Sequence, residues 1–247
     1  CIPDLFMEQV EKRGDWHLFD PHEVRQVMGF NLEDFYDEEK GSGSWREKYM
    51  QCVNHPELSR KTVPAIHIMK RIMRSQLESG TPFMFYRDEV NRKNNNPHAG
   101  MIYCSNLCTE ITQNMSPTQF LEEYVENEDT IVKKYKTGDF VVCNLSSINL
   151  GKAVPDNVLK RLITIQVRML DNVIDINTLP IKQAELTNKK YRAIGLGTFG
   201  WHHLLALKNI SWETDEAVEL ADELYEQIAY LTIQTSMELS KEKGSYP

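Results

Sequence analysis

The sequence predicts an α/β fold, and three observations predict it. Short runs rich in β-branched and aromatic residues alternate with longer stretches whose apolar residues recur near helical period. Glycine, proline and polar turn residues separate the two kinds of stretch. The composition, 41% hydrophobic and 26% charged over 247 residues, is that of a globular chain able to bury a core.

The bulk numbers exclude several classes. A net charge of −8 argues against a general nucleic-acid surface, which needs a basic face. No apolar run approaches the ~18–20 residues of a membrane span, and no signal peptide opens the chain. The five cysteines, Cys1, Cys52, Cys104, Cys108 and Cys143, are odd in number and form neither C-x-x-C pairs nor a zinc-like ligand set. A reducing, cytoplasmic setting is expected. The chain starts at Cys1 without a methionine and stops at Ser245-Tyr246-Pro247. It therefore reads as one partial domain over residues 1–247, truncated at both ends.

The elements follow in order. Pro3-Asp4-Leu5-Phe6-Met7 starts a helix reaching about Lys12, and Gly14 to Pro21 reads as a turn, a short strand and a turn. Asn31 to Tyr36 is a short helix, and Lys40 to Ser44 a flexible bend. Thr62 to Ser79 carries Ile66, Met69, Ile72, Met73 and Leu77 at helical spacing, with Pro64 in the first turn and Gly80 as the stop. Pro82 to Tyr86 reads as a buried strand by its aromatic content, and Asp88 to Asn96 as a polar loop or frayed helix.

The stretch Tyr103-Cys104-Ser105-Asn106-Leu107-Cys108-Thr109-Glu110-Ile111 then puts an amide, a thiol and a carboxyl at alternate positions. In an extended segment Asn106, Cys108 and Glu110 would point to the same side. Met101 to Tyr103 are expected to be a strand leading in. The arrangement is a thiol able to give or take a hydrogen, with a proton acceptor beside it.

Beyond it, Pro117 to Glu126 is expected to be an acidic helix capped by Ser116 or Thr118, and Lys133 to Lys136 a solvated turn. Phe140 to Val142 reads as a strand with Cys143 at its end. Pro155 to Asn177 is so apolar around its circumference that it is expected to be largely buried against a sheet. Gly195, Gly197 and Gly200 spell G-x-G-x-x-G between a strand and a helix, the nominal dinucleotide fingerprint. That fingerprint needs a second strand ending in an acidic residue about 20 residues on. Instead a second helix runs from Thr214 to about Lys243, with Ala217, Leu220, Ala221, Leu224, Ile228, Leu231 and Thr235 on one face. Nicotinamide binding is therefore not the reading taken, and close helix–strand packing accounts for the glycines.

Ser105-Asn106-Leu107-Cys108-Thr109-Glu110-Ile111 resembles the active-site loop of the large, catalytic (alpha) subunit of class I ribonucleotide reductases. Val142-Cys143-Asn144-Leu145-Ser146-Ser147-Ile148-Asn149-Leu150 resembles a second segment of that family, in the family's order. So does Pro3 to Pro21, and the likeness extends over nearly the whole chain. It implies part of the family's ten-stranded α/β barrel, with the cysteine on a loop inside. By the same resemblance Cys108 would carry a thiyl radical that takes the 3′ hydrogen of a ribonucleotide. Glu110 would be the general base on the 3′ hydroxyl, and Asn106 would hold the ribose hydroxyls. Cys143 would be one half of the dithiol that reduces substrate. The chain itself would bind no metal or cofactor. A metal-containing small subunit would supply the radical and a thioredoxin- or glutaredoxin-type protein the electrons, in a homodimer of the full-length chain that nucleotides such as ATP regulate.

Departures from the pattern are expected to leave this segment inactive alone. The family's second redox cysteine has no counterpart, since Cys1 and Cys52 stand in other contexts and Cys104 is too close to Cys108. The effector loops, phosphate loop, relay tyrosines and C-terminal thiols are not in the sequence. Two alternatives stand beside this reading: a cobalamin-dependent reductase of the same superfamily, and a helical interaction domain using the face Glu219 to Gln234.

Overall fold

The computed structural model describes residues 1–246, so Pro247 lies outside the described residues. Helices and strands are mixed, as expected, and the contacts divide the chain into two compact units, Cys1–Thr118 and Gln119–Pro247. Among the described residues the strands form three two-stranded sheets, and no closed barrel is present.

The first unit runs α1 (Asp4–Lys12), β1 (Asp15–Leu18), α2 (Pro21–Met28), a 3₁₀ turn (Leu32–Asp34), α3 (Ser44–Asn54), β2 (Lys61–Pro64), α4 (Ala65–Ser79) and α5 (Arg87–Arg92). β1 and β2 pair antiparallel, Asp15 opposite Pro64 and Leu18 opposite Lys61. The core is aromatic. The rings of Trp16 and Tyr49 stack at 4.6 Å, Trp45 and Tyr49 at 5.0 Å, and Phe6 meets Trp16 edge-on at 5.1 Å. The Tyr49 hydroxyl closes this core by accepting from His17 N (2.8 Å) and donating to His17 O (3.1 Å). Sequence reading missed α2 and α3. Asp20 caps α2 by accepting from His22 N and Glu23 N. α3 owes its place to Trp45, Tyr49 and Cys52, all buried on one side.

Two expectations here change. Thr62–Pro64 belong to β2, so the helix starts at Ala65 with Pro64 before it rather than in its first turn; of its spaced apolar residues, Met73 and Leu77 are exposed, at 55% and 88%. Residues Pro82–Tyr86 form no strand; only Tyr86 bridges Ile2, while Ile2 N donates to Phe85 O at 2.7 Å. Residues 87–92 are helical because a buried carboxylate holds them. Asp88, fully buried, accepts from Asp4 N (2.6 Å) at the start of α1 and from Asp37 N (3.0 Å). Arg92 donates to the Asp4 carboxylate (2.7 Å) and to Asp37 O (2.9 Å), and Asp37 accepts from Arg46 N and Nε. α5 is thereby fixed to α1 and to the 37–46 loop.

The second unit opens with a hairpin, β3 (Gln119–Asn127) and β4 (Thr130–Lys136), then β5 (Leu145–Asn149), α6 (Leu150–Ala153), α7 (Leu159–Ile176), α8 (Lys182–Tyr191), β6 (Gly195–Phe199), α9 (Trp201–Lys208) and α10 (Asp215–Lys243). The hairpin overturns the expected acidic helix at 117–126 and the turn at 133–136. Glu122 and Glu123 pair across the ladder with Lys134 (2.6 Å) and Lys133 (2.9 Å), and Phe120 meets Tyr135. Cross-strand pairs of this kind outweigh local helix preference.

β5 and β6 are parallel neighbours, Leu145 opposite Gly195 and Asn149 opposite Phe199. The expected strand at 140–142 is absent because its backbone turns elsewhere: Phe140 N donates to Thr187 Oγ1 of α8 at 2.8 Å. Pairing begins only at Leu145. α7 starts later than expected, after the left-handed Asn157. It buries only Leu159, Ile163, Val167, Leu170 and Ile174, whereas Ile165, Met169, Val173 and Ile176 are exposed. Its buried face shares a core with Ile148, Leu150, Leu204 and, from α10, Leu224, Ile228, Leu231 and Leu239. The apolar stripe of α10 is thus consumed inside this unit, while Tyr225, Tyr230 and Ile233 on the same helix stay exposed.

The glycine-rich segment is a packing junction. A Cβ on Gly197 would stand 3.1 Å from Ser147 Oγ on the neighbouring strand, and Gly200 takes φ +77° to start α9. α10 follows rather than a strand. No helix among the described residues is long and apolar enough to cross a membrane.

Candidate active-site loop

Residues 100–115 form an out-and-back loop in the first unit, its outgoing arm tied to α5 through Ile102. Its arms are tied at two levels. Met115 N donates to Met101 O at 3.1 Å near the base, and Ser105 bridges Thr112 antiparallel nearer the tip. Beyond that bridge Asn106 closes the tip on its own: its N–H donates to Ile111 O (3.3 Å), its side-chain Oδ1 accepts from Ile111 N (3.0 Å), and its carbonyl accepts from Thr109 N (3.2 Å).

This differs from the extended segment the sequence suggested. Residues 101–103 form no strand, and the chain reverses between Asn106 and Ile111. Thr109 makes the reversal in the left-handed region, φ +66°, with its hydroxyl donating to Cys108 O at 2.6 Å. A β-branched residue is costly there. Cys108 and Glu110 flank this residue at the tip, both exposed, with Leu107 81% exposed beside them. The turn, not strand alternation, brings the thiol and the carboxyl into one tight segment. Asn106 is partly buried, with its carboxamide oxygen spent on the loop and its NH₂ left for another partner.

Sequence reading missed two asparagines. Asn91 of α5, 3% exposed, accepts from Ile102 N (2.8 Å) and donates to Ile102 O (2.9 Å) and Arg87 O (2.9 Å). Asn114, 4% exposed, donates to Asn96 O (3.1 Å) and to Gly100 O. The signal for Asn91 was a lone amide at helical spacing from Arg87, which carries little information without the fold.

Cys143 lies in the second unit, exposed, on the irregular stretch leading into β5. The adjacent Asn144 fixes that stretch by donating to Leu170 O of α7 at 2.7 Å. Of the remaining cysteines, Cys52 is a core group beside Val24 and Leu58 whose thiol burial pushes up. Cys104 is exposed with its sulfur 3.8 Å from that of Met115. No group of three or more His, Cys, Asp or Glu among the described residues is placed to hold a metal ion.

Comparison with known proteins places the chain in a family. The family model described as ribonucleotide reductase, barrel domain, matches residues 1–247. The ribonucleoside-diphosphate reductase subunit alpha of Treponema pallidum (strain Nichols) is 44% identical over 253 residues, covering 100% of this chain and 29% of that protein. The protein of the same name from Helicobacter pylori (strain J99) is 35% identical, covering 99% of the chain and 34% of the relative. The one from Chlamydia trachomatis serovar D is 38% identical, covering 99% and 21%. The chain thus spans between about a fifth and a third of the length of these relatives.

Proposed function

The chain belongs to the ribonucleotide reductase barrel-domain family, and on that premise we propose that it forms the middle of the ten-stranded catalytic barrel of a class I ribonucleoside-diphosphate reductase alpha chain. The reaction is reduction of a ribonucleoside diphosphate to its deoxy form for DNA synthesis. The observation that carries the reading is the clamped loop, which presents Cys108 and Glu110 on either side of one left-handed residue.

In this mechanism the Cys108 thiyl radical takes the 3′ hydrogen atom, leaving a thiol and a 3′ carbon radical. Glu110 accepts the 3′ hydroxyl proton, which requires hydrogen-bond reach. The 2′ hydroxyl, protonated by a thiol, leaves as water. Cys143 and a second thiol outside this sequence supply the two reducing hydrogens and end as a disulfide, which a thioredoxin- or glutaredoxin-type protein reduces. Glu110 returns its proton to the 3′ oxygen, and the Cys108 thiol returns a hydrogen atom to the 3′ carbon and regains the radical for the next turnover. The Asn106 NH₂ is the end free to meet a ribose hydroxyl. A metal-containing small subunit supplies the radical to the alpha homodimer. The remaining parts of the barrel cover the exposed tip, as a radical must be kept from water and stray hydrogen donors.

The test uses a full-length alpha chain carrying this segment, with its radical subunit, a dithiol reductant and a ribonucleoside diphosphate. Deoxynucleotide is expected from the wild type and none from Cys108→Ser. Glu110→Ala is expected to lose on the order of 10²–10⁴-fold in kcat, the usual worth of a general base. Equal product from wild type and Cys108→Ser would refute the assignment. Turnover that depends on added adenosylcobalamin rather than the radical subunit would move the protein to the cobalamin-dependent class.

A further inference from the structure

We infer that Asn91 is a positioning residue for the Cys108 loop, acting through the backbone of Ile102; this rests on the function proposed above. The arm that carries Cys108 outward has no strand neighbour at residues 101–103. An arm of that kind would leave the Ile102 N–H and C=O without partners in a buried setting, since Ile102 is 3% exposed. Asn91 satisfies both: its Oδ1 accepts from Ile102 N at 2.8 Å, and its Nδ2 donates to Ile102 O at 2.9 Å. The carboxamide reproduces the pair of bonds that an adjoining strand would make. Its second amide hydrogen goes to Arg87 O at 2.9 Å, one helical turn back on α5.

The route from fold to tip is then continuous. Asp88 and Arg92 anchor α5 to Asp4 and Asp37. Asn91 anchors Ile102 to α5, and the Met101–Met115 and Ser105–Thr112 ties pass that hold to the returning arm. Asn106 closes the tip around Cys108 and Glu110. Asn91 is the buried tie that holds the outgoing arm to α5, beside the more exposed ties of Tyr103 to Asp34 Oδ1 (3.3 Å) and to Cys1 Sγ (3.4 Å). A displacement of about 1 Å at a reacting atom costs on the order of 10²-fold in rate. Asn106 is the one binding contact proposed on this loop, so KM is expected to change much less than kcat.

The experiment uses the full-length reductase with its radical subunit. Asn91→Ala removes all three bonds. Asn91→Asp keeps the shape and the acceptor for Ile102 N but loses both donors, so it serves where the alanine variant does not fold. Asn91→Ala is expected to lower kcat about 10²-fold with KM within about threefold. Asn91→Asp is expected to fall between it and the wild type. Both should keep wild-type affinity for the radical subunit and wild-type circular dichroism. A folded Asn91→Asp or Asn91→Ala with wild-type kcat overturns the inference. So does a variant whose loss lies entirely in KM or in thermal stability. Wild type and Cys108→Ser run alongside: no product from wild type sinks the proposed reaction itself. An active wild type, a dead Cys108→Ser and fully active Asn91 variants sink the positioning role alone.

Discussion

Replacing Asp88 tests the idea that one buried carboxylate sets the frame of the first unit. Its two oxygens accept from Asp4 N at 2.6 Å and Asp37 N at 3.0 Å, and the residue is fully buried. Asp88→Ala strands both N–H groups, each costing about 1–3 kcal/mol when left unpaired, so the loss is about 2–6 kcal/mol. Asp88→Asn keeps one acceptor and turns an NH₂ toward the other N–H, so its loss is about 1–3 kcal/mol. Burial raises the Asp88 carboxyl above its ordinary 3.8, partly offset by the two backbone donors. A raised folded value means that the folded state holds the proton more tightly than the unfolded chain. Its contribution is therefore full below pH 3.8 and is lost as pH rises through the folded value. The wild-type margin over Asp88→Asn should accordingly shrink with rising pH across that window. The assay is urea unfolding followed by tryptophan fluorescence, since Trp16 and Trp45 sit in the same unit's core. A cost below about 0.5 kcal/mol for Asp88→Ala, the size of a neutral surface change, would refute the reasoning.

Other outcomes follow from the same contacts. Tyr49→Phe should cost about 1–3 kcal/mol in urea unfolding by stranding the His17 N–H and C=O. Ultraviolet titration should put the Tyr49 hydroxyl at about 12, pushed up mainly by burial, so this group's contribution is lost as pH climbs from its ordinary 10 to 12. Ile163→Ala, at a site with 0% exposure, should cost about 2–5 kcal/mol of stability in the second unit. Hydrogen bonds from Lys182 and Lys189 hold the Glu185 carboxyl at about 2. An NMR titration should find that midpoint in the wild type and a higher one in a Lys182→Ala, Lys189→Ala double variant. The favourable contribution of Glu185 is present above 4.5 and fades as pH falls toward 2.

What the sequence made legible was set by local signals. α1, α4 and α10 carry their period and their stops within themselves, as with the Thr214 cap and Gly80 at φ +75°. The β3–β4 hairpin does not. Glu122 and Glu123 look helical until Lys134 and Lys133 are known to lie opposite, and that pairing is information about two segments at once. The apolar outer stripe of α7 misled in the other direction, because periodicity reports apolar content and not which face finds a neighbour. At the candidate site the residues Asn106, Cys108, Glu110 and Cys143 were visible as chemistry, yet their geometry was not. Alternation required an extended chain, and the left-handed Thr109 reverses it. Asn91 was illegible because its role is to replace a strand that is missing.

The groups that hold the loop have a consequence for pH dependence. Asn91, Asn106 and Asn114 are all carboxamides, which donate and accept without titrating. A carboxylate could satisfy the Ile102 N–H but not its C=O, and an ammonium the reverse; an amide serves both at every pH. On the proposed mechanism, Glu110→Gln in a full-length reductase carrying this loop is expected to lower kcat on the order of 10²–10⁴-fold. Wild-type kcat in Glu110→Gln would strip Glu110 of the base role. Asn91→Asp should add a pH-dependent step that the wild type lacks, because it places a titrating group where the native loop has a neutral clamp.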